Sequence, residues 1–216
     1  MRNLLPLMFI LLLFSACSRE EPAQVAEQVT APDAAETVTA VDPPADAFDE
    51  AAATRKAKSA IMLFAGELQA EFGAAMKDGG PVSAIEVCNT RAMAITERIS
   101  EEKGLNLGRV SHKNRNPLNA PNDWQSAVLL EFEERHAAGE ELTYISWSEV
   151  AGEGEDREFR FMKPIPTHAI CVNCHGTSIT PEVKAVLARL YPDDMATGFS
   201  PGDMRGAFVV TRPVGE

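Results

Sequence analysis

Cys171 and Cys174 stand three positions apart and His175 follows the second directly, in the run Ala169-Ile170-Cys171-Val172-Asn173-Cys174-His175-Gly176. Two thiols at this spacing can lie on one face of a helical turn and add to the two vinyl groups of a haem, while the adjacent imidazole offers a nitrogen to the iron. Cys-x-x-Cys-His therefore reads as a covalent attachment site for one haem c. Three other uses of such a pair compete with that reading. Zinc needs a second pair, and only Cys17 and Cys88 remain, far apart in the chain. A thioredoxin-like redox pair sits between a strand and a helix, a setting that nothing before Cys171 resembles. A disulfide is open to a chain that is exported.

Export is what the N-terminus suggests. Arg2 precedes an apolar run from Leu4 to Phe14, too short to span a bilayer, and Ser15-Ala16-Cys17 follows, so residues 1–16 read as a signal peptide. The Ser-Ala-Cys ending resembles a bacterial lipoprotein processing site, in which Cys17 becomes the lipidated first residue. A plain cleaved signal with an incidental Cys17 is the alternative. Acyl chains at about 0.8 kcal/mol per buried CH₂ would hold the protein at a membrane without a transmembrane helix. The expected location is the periplasmic side of the cell envelope, lipid-anchored.

Residues 17–50 are rich in Ala, Pro and acidic side chains, and Phe48 is their one aromatic, so they predict a disordered tether. Such a coil reaches on the order of 30 Å. Of the formal net charge of −12, most lies there, and residues 51–216 carry −5. This balance argues against a nucleic-acid partner. Residues 51–216 have the length of one domain with a sizeable core.

The elements that must position the thiols and the imidazole follow from periodicity. Ile61, Phe64, Leu68, Phe72 and Met76 recur at helical spacing over residues 51–76, and Asp78-Gly79-Gly80-Pro81 ends that helix. A second helix is expected from about Val82 to Lys103, stopped by Gly104, with Ile85, Cys88, Ala92, Ile95 and Ile99 on its apolar face. Cys88 thus faces inward, either as a small core hydrophobe or as a second axial ligand to the iron. Arg91, one turn along, could hold such a thiolate. His112, His136, His168 and methionines including Met93 compete for the same position, and spacing does not choose among them.

Arg109 to Pro121 reads as a basic, turn-rich loop. Arg109, Lys113 or Arg115 would suit the haem propionates; the alternative is a solvated surface loop. Asn122, with Gln125 three residues on, should cap a helix to about Ala138 that buries Trp124, Val128, Leu129 and Phe132. Leu142 to Val150 and Arg157 to Ile165 alternate like a β-hairpin, which places Leu142 and Tyr144 on one side. Thr180-Pro181 opens a short helix, and Gly206 to Thr211 makes a final strand. Helices, a hairpin, a helix and a strand predict an α+β domain with an antiparallel sheet.

Six segments in this order carry a family resemblance. They are Ala84-Ile85-Glu86-Val87-Cys88-Asn89, Arg109-Val110-Ser111, Arg115-Asn116-Pro117-Leu118-Asn119-Ala120-Pro121, the Cys171 to Gly176 motif, Tyr191-Pro192-Asp193-Asp194-Met195-Ala196-Thr197-Gly198 and Arg205-Gly206-Ala207-Phe208. Together, over about Ala52 to Pro213, they resemble the extracytoplasmic PAS-like c-haem domains once catalogued as a domain of unknown function and often fused to sensor histidine kinases. The resemblance implies a PAS-like antiparallel sheet flanked by N-terminal helices. It also implies one covalent haem with His175 on one side of the iron and, from an Ala-x-x-x-Cys stretch on an N-terminal helix, Cys88 on the other. His168 is not part of that pattern and leaves ligand exchange open.

An anionic thiolate stabilises ferric iron and lowers the reduction potential, whereas a methionine would raise it. A redox or diatomic-gas sensor is the first expectation; it needs a separate signalling partner, since this chain holds no transmitter. A membrane-anchored electron-transfer cytochrome meeting basic redox partners is the second. A haem enzyme needs an accessible iron, which two axial ligands deny.

Overall fold

The computed structural model describes residues 48–215. Cys17, the expected signal peptide and most of the expected tether therefore lie outside the described residues. The described chain opens with packing: the Phe48 ring lies 5.7 Å from that of Phe159, and the Asp49 side chain accepts from the Ala52 amide at 2.8 Å. That bond caps the first helix, α1 (Glu50–Lys103).

Gly80 divides α1 into two arms. Its φ of 66° and ψ of −158° are not helical, and Pro81 opens the second arm, where a missing amide proton costs nothing. The arms fold back as a hairpin, so that Arg91 pairs with Glu71, and Arg98 with Glu67, across their solvent side. These exposed pairs contribute little. The arms are held by what they bury: Ala57, Ile61 and Phe64 from the first arm, and Ile95 and Ile99 from the second, share one core. Each large side chain removed from water there contributes roughly 1.5–3 kcal/mol. Gly104 ends the second arm in a left-handed conformation at φ 56°, as the sequence predicts.

Four antiparallel strands make one sheet in the order β1-β4-β3-β2, with β1 (Asn106–Val110), β2 (Trp147–Ala151), β3 (Glu158–Pro166) and β4 (Met204–Pro213). Alternation along each strand separates two cores. Phe159, Phe161, Leu107 and Val210 face the α1 hairpin. Met162, Val110, Ala207 and Val209 face the other way, onto Val128, Leu129 and Phe132 of α2 (Asp123–Ala137). The helix α2 starts as expected: Asn122 and Gln125 exchange side-chain and backbone bonds in a capping box. The mixed α+β class, the antiparallel sheet and the N-terminal helices all agree with the sequence reading.

Three local expectations need correction. Arg109 lies in β1, not in a loop; Asn106 to Val110 pairs with Thr211 to Ala207, a partner about a hundred residues away. The hairpin begins at Trp147 rather than Leu142. The Tyr144 amide donates to the Glu141 carbonyl at 2.9 Å in a turn, which buries Leu142 and Ile145 and leaves Tyr144 79% exposed. Trp124 is only partly buried, its ring stacked on Trp147 at 5.8 Å.

A third core lies beyond the sheet. Ile85 on the second arm of α1 meets Cys174, Ile179, Val183 and Leu187. Cys174 belongs to the single-turn helix α3 (Val172–His175), and Val183 and Leu187 to α4 (Pro181–Leu190), which starts at the expected Pro181. Among the described residues no helix is long and apolar enough to cross a membrane.

Candidate functional site

The third core holds one of the sequence-predicted thiols, Cys174, and Cys88 and Cys171 lie close enough to act on it. Ala169–Cys171 forms a 3-10 turn that runs into α3, so Cys171 and Cys174 flank one turn. Cys174 is buried against Ile85, one turn of α1 from Cys88. Cys88, Cys171 and Cys174 are all free thiols. Burial pushes the Cys88 thiol up from its ordinary value, against the pull of the Arg109 and Arg115 guanidinium groups. Cys174 is also pushed up, first by burial, then, against Arg115, by the nearby Cys88 and Cys171.

His175 is fixed by a loop that follows α4. Its Nδ1 lies 2.7 Å from the Ala196 carbonyl oxygen. A carbonyl can only accept, so Nδ1 carries the proton and Nε2 presents a lone pair. The Arg205 Nε, 3.3 Å from Nδ1, then faces a donor and is a cation set against the ring edge. Burial, with the charges of Arg205 and Arg115, holds the His175 pKa down at about 3, so the ring is neutral in ordinary conditions. Backbone bonds complete the brace: Phe199 N–H donates to the His175 carbonyl at 2.9 Å and Gly198 N–H to that of Gly176 at 3.1 Å.

Arg115 ties this loop down. Its Nη2 donates to the Cys174 carbonyl at 2.5 Å and to that of Ala196 at 3.3 Å, and its Nε reaches the Asp194 carboxylate at 3.1 Å. Asp194 in turn accepts from the Ala196 amide at 2.8 Å. Arg115 thus commits its Nε and Nη2 donors to the protein. Arg109 differs: among the described residues it has no acidic partner. Its guanidinium lies 5.0 Å over the Phe64 ring and faces Cys88 and Tyr191, and burial lowers its pKa. Lys113 is exposed, with its ammonium 5.2 Å over the Phe199 ring.

The expected helper of Cys88 is elsewhere. Arg91 is exposed on the solvent side of the hairpin in its pair with Glu71, and the cations that act on Cys88 are Arg109 and Arg115. The other candidate ligands are exposed or bonded elsewhere through their side chains. His168 is exposed, Met93 is 47% exposed, His112 Nε2 contacts the Ser126 hydroxyl at 2.8 Å, and His136 Nδ1 contacts the Glu140 carbonyl at 3.2 Å.

Four residues that sequence reasoning did not single out build the site: Tyr191, whose hydroxyl bonds Asn89 on α1, Asp194, Ala196 and Arg205. Their signal lies in the Tyr-Pro-Asp-Asp-Met-Ala-Thr-Gly and Arg-Gly-Ala-Phe runs, which carry the family resemblance without revealing these roles. A cleft of about 570 Å³ opens beside this loop, lined by Gly176, Thr177, Leu187, Tyr191 and Asp194 among others.

The donor set fits a covalently held haem. Two free thiols flank a turn, an imidazole keeps Nε2 open, and a third thiol lies close enough to act on Cys174. Among the described residues Arg109, Arg115 and Arg205 outnumber the one carboxylate, Asp194, that acts on this group. A ligand bearing two propionates would balance that excess of buried positive charge. Cys171 and Cys174 would hold the group, and His175 and Cys88 would face the iron.

No curated protein matches the chain. A solved structure, the cyanobacterial heme-protein Tll0287, superposes with a TM-score of 0.55 at 24% identity, covering 76% of this chain and 93% of that one. At that identity the likeness speaks for the fold. The Tll0287-like family model matches residues 21–213, nearly the whole chain, and the resemblance noted in its sequence is thereby borne out. The chain belongs to the Tll0287-like family.

Proposed function

We propose that this protein binds one haem c, covalently through Cys171 and Cys174, with His175 and Cys88 as axial ligands, and that it serves as a redox or diatomic-gas sensor. The haem supplies a one-electron redox centre whose potential a thiolate ligand sets low. Around it, Ala196 orients His175 through Nδ1, Arg109 and Arg115 favour the thiolate of Cys88, and Arg109 and Lys113 meet the propionates. A Cys88 that is protonated on reduction and released would free a position at the iron, and its movement would be felt by the α1 hairpin that carries it. A separate signalling or redox protein receives that change. Lipid at Cys17 holds the domain on the periplasmic side of the envelope.

The observation that carries this reading is that Cys88 lies near enough to Cys174 to act on its thiol, although 86 positions separate them in the chain. The heme of the similar cyanobacterial protein adds support at the level of the family. Ferric and ferrous absorption spectra, with electron paramagnetic resonance of the ferric form, test the reading on holoprotein alongside Cys88→Ala. A low-spin thiolate signature that Cys88→Ala abolishes is the expected result. An unchanged spectrum would make Cys88 a core residue and leave an electron-transfer cytochrome with a histidine or methionine ligand as the better account.

A further inference from the structure

Arg205, half-buried on the interior strand β4, is held at several points. Ser111, itself buried, braces it at both ends: the Ser111 hydroxyl donates to the Arg205 carbonyl at 2.9 Å and accepts from its Nη1 at 3.3 Å. Nη1 also donates to the Lys113 carbonyl at 3.0 Å. The backbone requires the next residue to be glycine. Gly206 has φ 149°, and a Cβ there would come 2.4 Å from the Val110 carbonyl oxygen, so β4 lies flush on the end of β1 only with no side chain at that point. The guanidinium is left 5.2 Å over the Phe199 ring, whose edge in turn meets the His175 ring at 6.4 Å.

The result is a fixed cation 3.3 Å from the protonated Nδ1 of His175. That contact forms no favourable bond, because both atoms carry hydrogens when Nε2 is the nitrogen left free. Its effect is electrostatic. The bond from Nδ1–H to the Ala196 carbonyl makes the imidazole a more electron-rich ligand. A positive charge at the same edge draws that density back and disfavours any further positive charge nearby. Among the described residues no aspartate or glutamate bonds Arg205; Asp194 acts on it from a distance, against Arg115 and Arg109.

We propose that Arg205 is a positioning residue that acts through His175: the positive charge it holds at the Nδ1 edge of the ring raises the reduction potential of the iron that the ring would ligate. This inference rests on the haem reading above. It assigns the two edges of His175 opposing tasks: Ala196 enriches the ring and Arg205 moderates it, offsetting part of the low potential that a Cys88 thiolate would impose.

The test is spectroelectrochemical titration of the haem-loaded protein with Arg205→Gln, Arg205→Met and Arg205→Lys, and with Arg189→Gln, which removes the same charge from the exposed outer face of α4. At a fixed applied potential, the two neutral variants should raise the ferric-to-ferrous ratio about tenfold, a shift of about 59 mV for one electron. Arg205→Lys should recover most of that shift, and Arg189→Gln should give none. Equal ratios in wild type and both neutral variants overturn the proposal. So does an equal shift in Arg205→Lys, which would make geometry rather than charge the cause. If neither neutral variant accumulates with haem, Arg205 is a folding residue and the proposal falls. Failure of the haem reading shows separately, as a wild type without covalent haem or a His175→Ala variant with an unchanged spectrum.

Discussion

The Nδ1 of His175 and the carbonyl oxygen of Ala196 stand 2.7 Å apart, and that bond alone decides which nitrogen of the ring is open. Ala196 is fully buried, yet it lies on a loop without regular structure, so its carbonyl is aimed by side chains. Asp194 takes the Ala196 amide, and Arg115 takes both Asp194 and the Ala196 carbonyl.

Asp194→Asn should therefore loosen the loop. It removes a charge-assisted bond from a pair only 12% and 10% exposed and leaves the Arg115 cation uncompensated. A loss of about 2 kcal/mol is expected in urea unfolding, the size of a hydrogen bond to a charged group. Met195→Ala, in the same loop but 53% exposed, should stay within about 0.5 kcal/mol. Equal effects of the two substitutions would show that the clasp contributes nothing.

Acid should weaken the protein before haem is attached. A free histidine titrates near 6.5, but burial and neighbouring cations hold His175 at about 3. Between those values the unfolded chain binds the proton and the folded chain does not. The contribution of this group is thus intact above about pH 6.5 and is lost as pH falls toward 3, by up to about 1.4 kcal/mol per pH unit. Urea midpoints of protein lacking haem, measured from pH 7 to pH 4, should fall steeply, and His175→Ala should flatten the curve. Haem-loaded protein should show the flatter curve too, since an imidazole bound through Nε2 takes up no proton.

Much of this arrangement is legible in the sequence because it is local. The Cys171 to His175 motif, the break at Gly80-Pro81, the Gly104 stop and the Asn122–Gln125 capping box each need only a few consecutive residues. What escapes is non-local. Asn106 to Val110 becomes a strand because β4 arrives beside it, and its short run containing Gly108 has little alternation to announce that. Tyr144 looked like a strand residue until the turn from Glu141 placed it in solvent. The tasks of Asp194 and Ala196 rest on a guanidinium about eighty positions earlier and on a backbone carbonyl, which has no letter in a sequence. Arg91 was a reasonable helper for Cys88 on one helix; only the hairpin shows that it faces Glu71 instead.

That last difference separates two arginines by experiment. In the haem-loaded protein, acidification should eventually protonate Cys88 and abolish the ferric thiolate signature. Arg109 is largely buried, faces the thiol and opposes its burial-driven rise, so Arg109→Gln should move the midpoint of that acid transition upward, by about one pH unit, or 1.4 kcal/mol. Arg91→Gln removes an exposed cation engaged with Glu71 and should leave the midpoint in place, with a stability change under about 1 kcal/mol. Absorption and electron paramagnetic resonance across the titration give both midpoints. A larger shift from Arg91→Gln, or none from Arg109→Gln, would return the thiolate's support to the helix that carries it and take it away from β1.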